Sequence, residues 1–131
     1  DWKNIIFAQN LATSTLTYAT IRYGGASTLG FNNGDNGVLR LTGASISFAN
    51  SILEYNAYAG MRMEHSPSTV IADSFIRHQR VSANNATDYG LLLFSNSVPS
   101  ITNTRFTDNE QNILNTNTPA YIDGGGNIFD P

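Results

Sequence analysis

Large apolar residues recur along this chain at two fixed spacings, and the two spacings take turns. Residues 47–56, 70–79 and 100–109 align without a gap. Each copy places apolar residues five apart (Phe48 and Leu53, Ile71 and Ile76, Ile101 and Phe106), with Asn50-Ser51, Asp73-Ser74 or Asn103-Thr104 between them. Leu16 and Ile21 repeat the step of five, and Ile122 to Ile128 repeats it with one residue inserted at Gly124-Gly125-Gly126. Ahead of each copy stands a pair two residues apart: Ile5 and Phe7, Leu39 and Leu41, Met61 and Met63, Leu91 and Leu93, and a weaker fifth, Ile113 with Asn115. A spacing of two puts both side chains on one face of a strand, so the pattern predicts one such short strand per coil. Helical spacing is hard to find.

Successive pairs begin 34, 22, 30 and 22 residues apart. Units of this size cannot close a core alone, but stacked units bury a continuous apolar column. Five coils at the inter-strand distance of ~4.8 Å rise only ~24 Å. The two longer units carry insertions, roughly residues 24–36 and 80–89. Asn and Gly at the turns suit the left-handed backbone, and the column Asn50, Asp73, Asn103 is placed to form a ladder of side-chain hydrogen bonds. An antiparallel sandwich would also give short strands, but it requires no residue-for-residue register between segments. The expected fold is therefore all-β: one solenoid domain over residues 1–131, a parallel β-helix of about five coils. No amphipathic helix covers either end, so the segment reads as part of a longer protein or as a fibre subunit.

Composition narrows the functional classes. Hydrophobic residues make up 40% of the chain, enough for a packed interior, and charged residues only 13%, about half the usual share. The net charge of −3 gives no broad positive field for a phosphate backbone, which speaks against a nucleic-acid partner. No apolar run approaches the ~18 residues of a membrane span. The chain has no cysteine, which neither requires nor excludes an oxidising compartment.

Trp2-Lys3-Asn4-Ile5-Ile6-Phe7, and residues 14–25 running Ser-Thr-Leu-Thr-Tyr-Ala-Thr-Ile-Arg-Tyr-Gly-Gly, resemble the right-handed parallel β-helix repeat proteins among secreted and surface proteins of bacteria and archaea. Residues 99–106 and 125–129 look like turn-strand units of the same family. The resemblance covers essentially the whole chain. It implies a right-handed coil and an extracellular or cell-surface location. It is nearly silent on activity, since this superfamily holds polysaccharide lyases, glycoside hydrolases, epimerases, adhesins and structural fibres. The acidic calcium ligands or converging Asp carboxylates of its pectate-lyase and galacturonase branches have no match here, so no catalytic residue carries over.

Four residues stand out on the outward side of the first strip. Arg40 and Arg62 fall on neighbouring coils, with Glu64 beside them and Phe94 beyond. Such a cluster could clamp a sugar carboxylate through the planar guanidinium fork. The plainer explanation is a solvated ion-pair patch of little energetic weight. Phe94 and Leu92, with Tyr58 or Tyr89, could stack on sugar rings, but an apolar patch on a solenoid flank is more often covered. Glu64 alone does not make the carboxylate pair of glycoside hydrolysis. His78 falls in register with Tyr55 and Asp108, and His65 sits at a turn before Pro67; two histidines on different faces make no metal site. Residues 32–37 around Asp35 have oxygen-rich calcium-loop character with a single carboxylate, and a Gly/Asn turn explains the run without Ca2+. Asn85-Ala86-Thr87 is a glycosylation sequon in an inserted loop. The expected role is a non-catalytic structural or adhesive module associating end to end with itself or with adjoining coils. The alternative is a module that binds or degrades cell-surface polysaccharide.

Overall fold

The structure, a computed structural model, describes residues 4–9, 14–24, 37–79, 88–116 and 121–131. Every coil contributes three strands. Coil one holds β1 (Ile5–Ala8), β2 (Ser14–Thr17) and β3 (Thr20–Arg22), and coil two β4 (Leu39–Thr42), β5 (Ile46–Ala49) and β6 (Ile52–Glu54). Coil three holds β7 (Ala59–Glu64), β8 (Val70–Ala72) and β9 (Phe75–Arg77), and coil four β10 (Tyr89–Phe94), β11 (Ser100–Thr102) and β12 (Arg105–Thr107). Coil five closes the series with β13 (Gln111–Asn115), β14 (Ile122–Asp123) and β15 (Ile128–Phe129). Equivalent strands stack in order into three parallel five-stranded sheets. This is a three-sided parallel β-helix of five coils.

Residues two apart in β4 place Leu39 and Leu41 inward, and the parallel register sets Met61 and Met63, then Leu91 and Leu93, directly over them. In the second sheet Leu16, Phe48, Ile71 and Ile101 form one file, and in the third Ile21, Leu53, Ile76 and Phe106 form another. In coils two to four these inward side chains have no solvent exposure. Removing a side chain such as Phe48 or Ile71 from water contributes roughly 1.5–3 kcal/mol, and each file lends its neighbours the surface they need.

The corners explain the rest of the repeat. Each ends a strand with a residue at positive φ: Tyr18, Asn50, Asp73 and Asn103 after the second sheet, and Tyr23, Tyr55, His78 and Asp108 after the third. That conformation reverses the direction of the chain, and the next residue points its side chain inward. Ser51 Oγ and Ser74 Oγ donate to the carbonyls of Ala49 and Ala72 while accepting from the N–H groups of Ala19 and Ser51, one coil earlier. Thr104 and Asn127 continue this file. The ladder thus runs along the serine column. The Asn50, Asp73, Asn103 column stays outside, and one side-chain bond, Asn103 Nδ2 to Asp73 Oδ1 at 3.2 Å, joins two of its members. The physical reason is the left-handed backbone, which turns the first residue of the pair to solvent and the second to the interior.

After the third sheet the inward file is made of amides. Asn56, Gln79 and Asn109 are buried, and their side-chain oxygens accept from the backbone N–H groups of Gly24, Asn56 and Gln79 respectively. Their NH2 groups donate to the carbonyls of Ile21, Leu53 and Ile76. An unpaired buried amide is expensive, so this file fixes the register as firmly as the apolar one fixes compactness.

Coil five departs from the expected alignment. The seven-residue step from the end of the inward pair to the second sheet, seen from Met63 to Val70 and from Leu93 to Ser100, is kept from Asn115 to Ile122. Ile122 and Ile128 consequently share the outward positions of Ser100 and Arg105, while Asp123 and Phe129 take the inward positions of Ile101 and Phe106. The inserted residue at Gly124–Gly126 is present, but the apolar pair of this copy is shifted by one, and Phe129 stacks on Phe106 at 5.0 Å.

Gln79→Leu is expected to destabilise the fold by about 3 kcal/mol, because it strands the Leu53 and Arg77 carbonyls and the Asn56 N–H in a buried corner. Asp73→Asn on the outer column is expected to stay within about 0.5 kcal/mol. Urea denaturation followed by circular dichroism distinguishes the two.

Candidate functional site

The outward side of the first sheet does bring Arg40, Arg62, Glu64 and Phe94 together. Arg40 and Arg62 are register partners, as are Glu64 and Phe94. Arg62 Nη2 lies 3.4 Å from Glu64 Oε2, and the Arg62 guanidinium carbon sits 5.0 Å from the centre of the Phe94 ring. The strip is not the solvated surface that alternation alone suggests. Arg62 is 8% exposed and Leu92 6%. The Gly37 backbone runs so close to it that a β-carbon there would meet the Arg62 β-carbon at 2.7 Å. A long side chain lying between backbone and ring is desolvated, which strengthens its pairing with Glu64 and withdraws it from a diffusing carboxylate. Asp35 and Asn85, the calcium and glycosylation candidates, lie outside the described residues.

The third sheet carries a second constellation, whose members were only partly foreseen. Its outward register runs Arg22, Glu54, Arg77, so a buried carboxylate lies between two guanidinium groups from the coils on either side. Arg77 donates to Glu54 Oε2 through Nε and Nη2 at 3.0 and 2.9 Å, and Arg22 Nη1 stands 4.0 Å from Oε1. At the adjoining corner Tyr23, Tyr55 and His78 form a stack of rings with centroid distances of 6.0 and 4.8 Å. His78 Nδ1 lies 3.5 Å from Asp108 Oδ2, bearing out the register of Tyr55, His78 and Asp108. One coil on, Arg105 donates to Asp130 Oδ2 through Nε and Nη2 at 3.2 and 2.7 Å. Phe75, Arg77, His78, Arg105, Asp108 and Asp130 line an open depression of about 400 Å3, with Phe75 42% exposed. The sequence signal was present: Glu54 and Arg77 share one position of the ungapped repeat, and Tyr55 and His78 share the next.

This face offers paired charges and one aromatic ring. Two arginines and two aspartates line the depression, Arg105 bonded to Asp130, Asp108 beside His78, and Arg77 bonded to Glu54. No group of three or more His, Cys, Asp or Glu side chains among the described residues could hold a metal ion, and none of these residues forms a helix long and apolar enough to cross a membrane. Fold and faces define a parallel β-helix whose polar side chains tie one coil to the next. Comparison with protein-family models, with curated proteins and with solved structures finds no match to this chain.

Glu54→Gln is expected to cost about 1–2 kcal/mol in chemical denaturation, since it removes the charge that two guanidinium groups share at a buried point. Arg105→Ala, in an exposed pair, is expected to cost less than about 1 kcal/mol, and less again at high salt.

Proposed function

We propose that this chain is a non-catalytic structural or adhesive β-helix module of an extracellular or cell-surface protein, related to the right-handed β-helix repeat proteins that its sequence resembles, and that it associates with copies of itself. One observation carries the reading. Each of the eight described carboxylates is engaged within the fold, and six of them join neighbouring coils: Glu54 to Arg22 and Arg77, Asp73 to Asn103, Asp88 to the Tyr58 N–H, Asp108 to His78, Glu110 to the Asp88 N–H and Asp130 to Arg105. A general acid or base needs a carboxylate free to exchange a proton with substrate, whereas these act as rungs. Inward apolar side chains left exposed on the outer coils, Ile5 on coil one and Phe129 on coil five, support association with further coils.

Incubation with neutral and acidic polysaccharides is expected to release neither reducing ends nor unsaturated uronates above the buffer rate. Turnover that disappears in Asp108→Asn or Asp130→Asn would sink the non-catalytic reading.

The depression beside Phe75 favours a second reading, in which the module binds polysaccharide. Its aromatic ring and its planar, mutually neutralised hydrogen-bonding groups suit a hydroxyl-rich ligand. If this reading holds, binding to a glycan panel falls at least about tenfold in Phe75→Ala, equivalent to ~1.4 kcal/mol, and changes little in Arg62→Ala. The opposite pattern would move the ligand to the first strip.

A further inference from the structure

The depression on the third sheet is lined by two guanidinium groups, and each is already committed to a carboxylate of the fold. Arg77 donates to Glu54 Oε2 through Nε and Nη2, and its guanidinium carbon lies 5.6 Å from the centre of the Phe75 ring. Arg105 donates through the same two nitrogens to Asp130 Oδ2. The side-on edge of the planar fork, which takes a carboxylate through two parallel donors, is thus occupied in both. The two pairs differ in access. Glu54 is buried, whereas the Arg105 and Asp130 side chains are 50% and 41% exposed, so Asp130 is a carboxylate that a ligand would meet. Asp108, 52% exposed, is a second, and its partner among the described residues, His78, is charged only when protonated. A sugar carboxylate entering here would find both guanidinium charges matched and two like charges beside it. A hydroxyl meets no such obstacle, since it accepts from the remaining guanidinium N–H groups and donates to the oxygens of Asp108 and Asp130. The exposed Phe75 ring adds an apolar face for a sugar ring. Three residues on, ~10 Å along the backbone, stands His78, with Asp108 beside it.

We propose that the depression selects uncharged glycans and that Asp130 sets the selection, by holding the Arg105 fork that would otherwise take a uronate. This rests on the polysaccharide-binding reading above and names the class of glycan. Glu54, buried under Arg77, belongs to the stack itself; Asp130 sits in an exposed pair of small energetic weight, so its removal changes what the depression accepts and leaves the coils in place. With Asp130 neutral, Arg105 presents an unmatched positive charge and a free fork edge beside the Phe75 ring.

Isothermal titration calorimetry of the 131-residue chain at low salt, with uncharged cello-, xylo- and manno-oligosaccharides and with oligogalacturonates, tests this. The wild type is expected to bind at least one uncharged series about tenfold or more tighter than oligogalacturonates. Asp130→Asn is expected to bind oligogalacturonates about tenfold tighter than the wild type does, a gain that high salt removes, with little change toward the uncharged series. Adding Phe75→Ala to Asp130→Asn is expected to abolish the gain, which ties it to the depression; thermal melting checks that each variant is folded. Asp73→Asn removes the same charge from the outer column and is expected to give no gain. Wild-type chains that bind oligogalacturonates as tightly as the uncharged series would overturn the selection while leaving the glycan reading intact. A gain absent in Asp130→Asn, or equally large in Asp73→Asn, would overturn the role of Asp130. No binding of any oligosaccharide by the wild type or by Asp130→Asn would overturn the glycan reading and the selection together.

Discussion

Everything in this molecule depends on the strict parallel register of successive coils. A residue at an inward position meets its own equivalent about 4.8 Å above and below, so every coil must deliver the same class of side chain at the same point of its path. Apolar files supply most of the free energy, yet an apolar surface tolerates sliding. The corner side chains remove that freedom. A one-residue slip would turn each inward residue outward and would also leave the buried amides of Asn56, Gln79 and Asn109 and the hydroxyls of Ser51 and Ser74 facing the wrong backbone groups. Compactness and register are thus enforced by different residues, two or three positions apart in the repeat.

Much of this was legible in the sequence because the two enforcing classes differ in chemistry. The five-residue step between apolar residues and the Asn/Asp-Ser/Thr pair inside it mark the repeated register, and the structure resolves the step into a strand, a left-handed corner and a second strand. Which member of the pair faces inward was not legible, since both are small polar residues able to form ladders; the sign of φ decides it. Coil five was misaligned by one for a related reason. Ile122 and Ile128 are the apolar residues there, but the seven-residue step between sheets that coils three and four also use outweighs their hydrophobicity. Burial of Arg62 also escaped, because alternation says which way its side chain points and nothing about the backbone of residue 37 that lies over it.

The low charge content acquires a structural sense in this setting. On a solenoid, an outward position has the same position of the next coil as its nearest neighbour, so a repeated charge would repel itself along the column. Alternation of Arg22, Glu54 and Arg77 avoids this, as does the passage from Tyr55 through His78 to Asp108. On the first sheet, where Arg40 and Arg62 are neighbours in one outward file, Glu64 and burial hold Arg62 instead. A chemically active cluster of like groups, such as several carboxylates on one strip, would have to be held against that repulsion by a metal or by burial. The third sheet takes the alternating solution, which stabilises the stack and leaves its charges mutually neutralised.

The same neighbour rule bears on coil five. Inward polar residues within the stack stand over one another and bond the adjoining backbone, as Ser51 with Ser74 and Asn56 with Gln79 do. Asn115 and Asp123 instead continue apolar files, and the Asp123 carboxylate finds its partners in the corner of its own coil. The extra residue among Gly124, Gly125 and Gly126 gives that corner the length to fold back on the carboxylate. Gly126, at φ 71°, also lies so close to the Asn103 side chain that a β-carbon would collide with it. Phe129 meanwhile returns to the inward file and covers Phe106. Coil five therefore departs from the repeat in three linked ways: polar inward residues, a lengthened glycine corner and an aromatic ring stacked on Phe106.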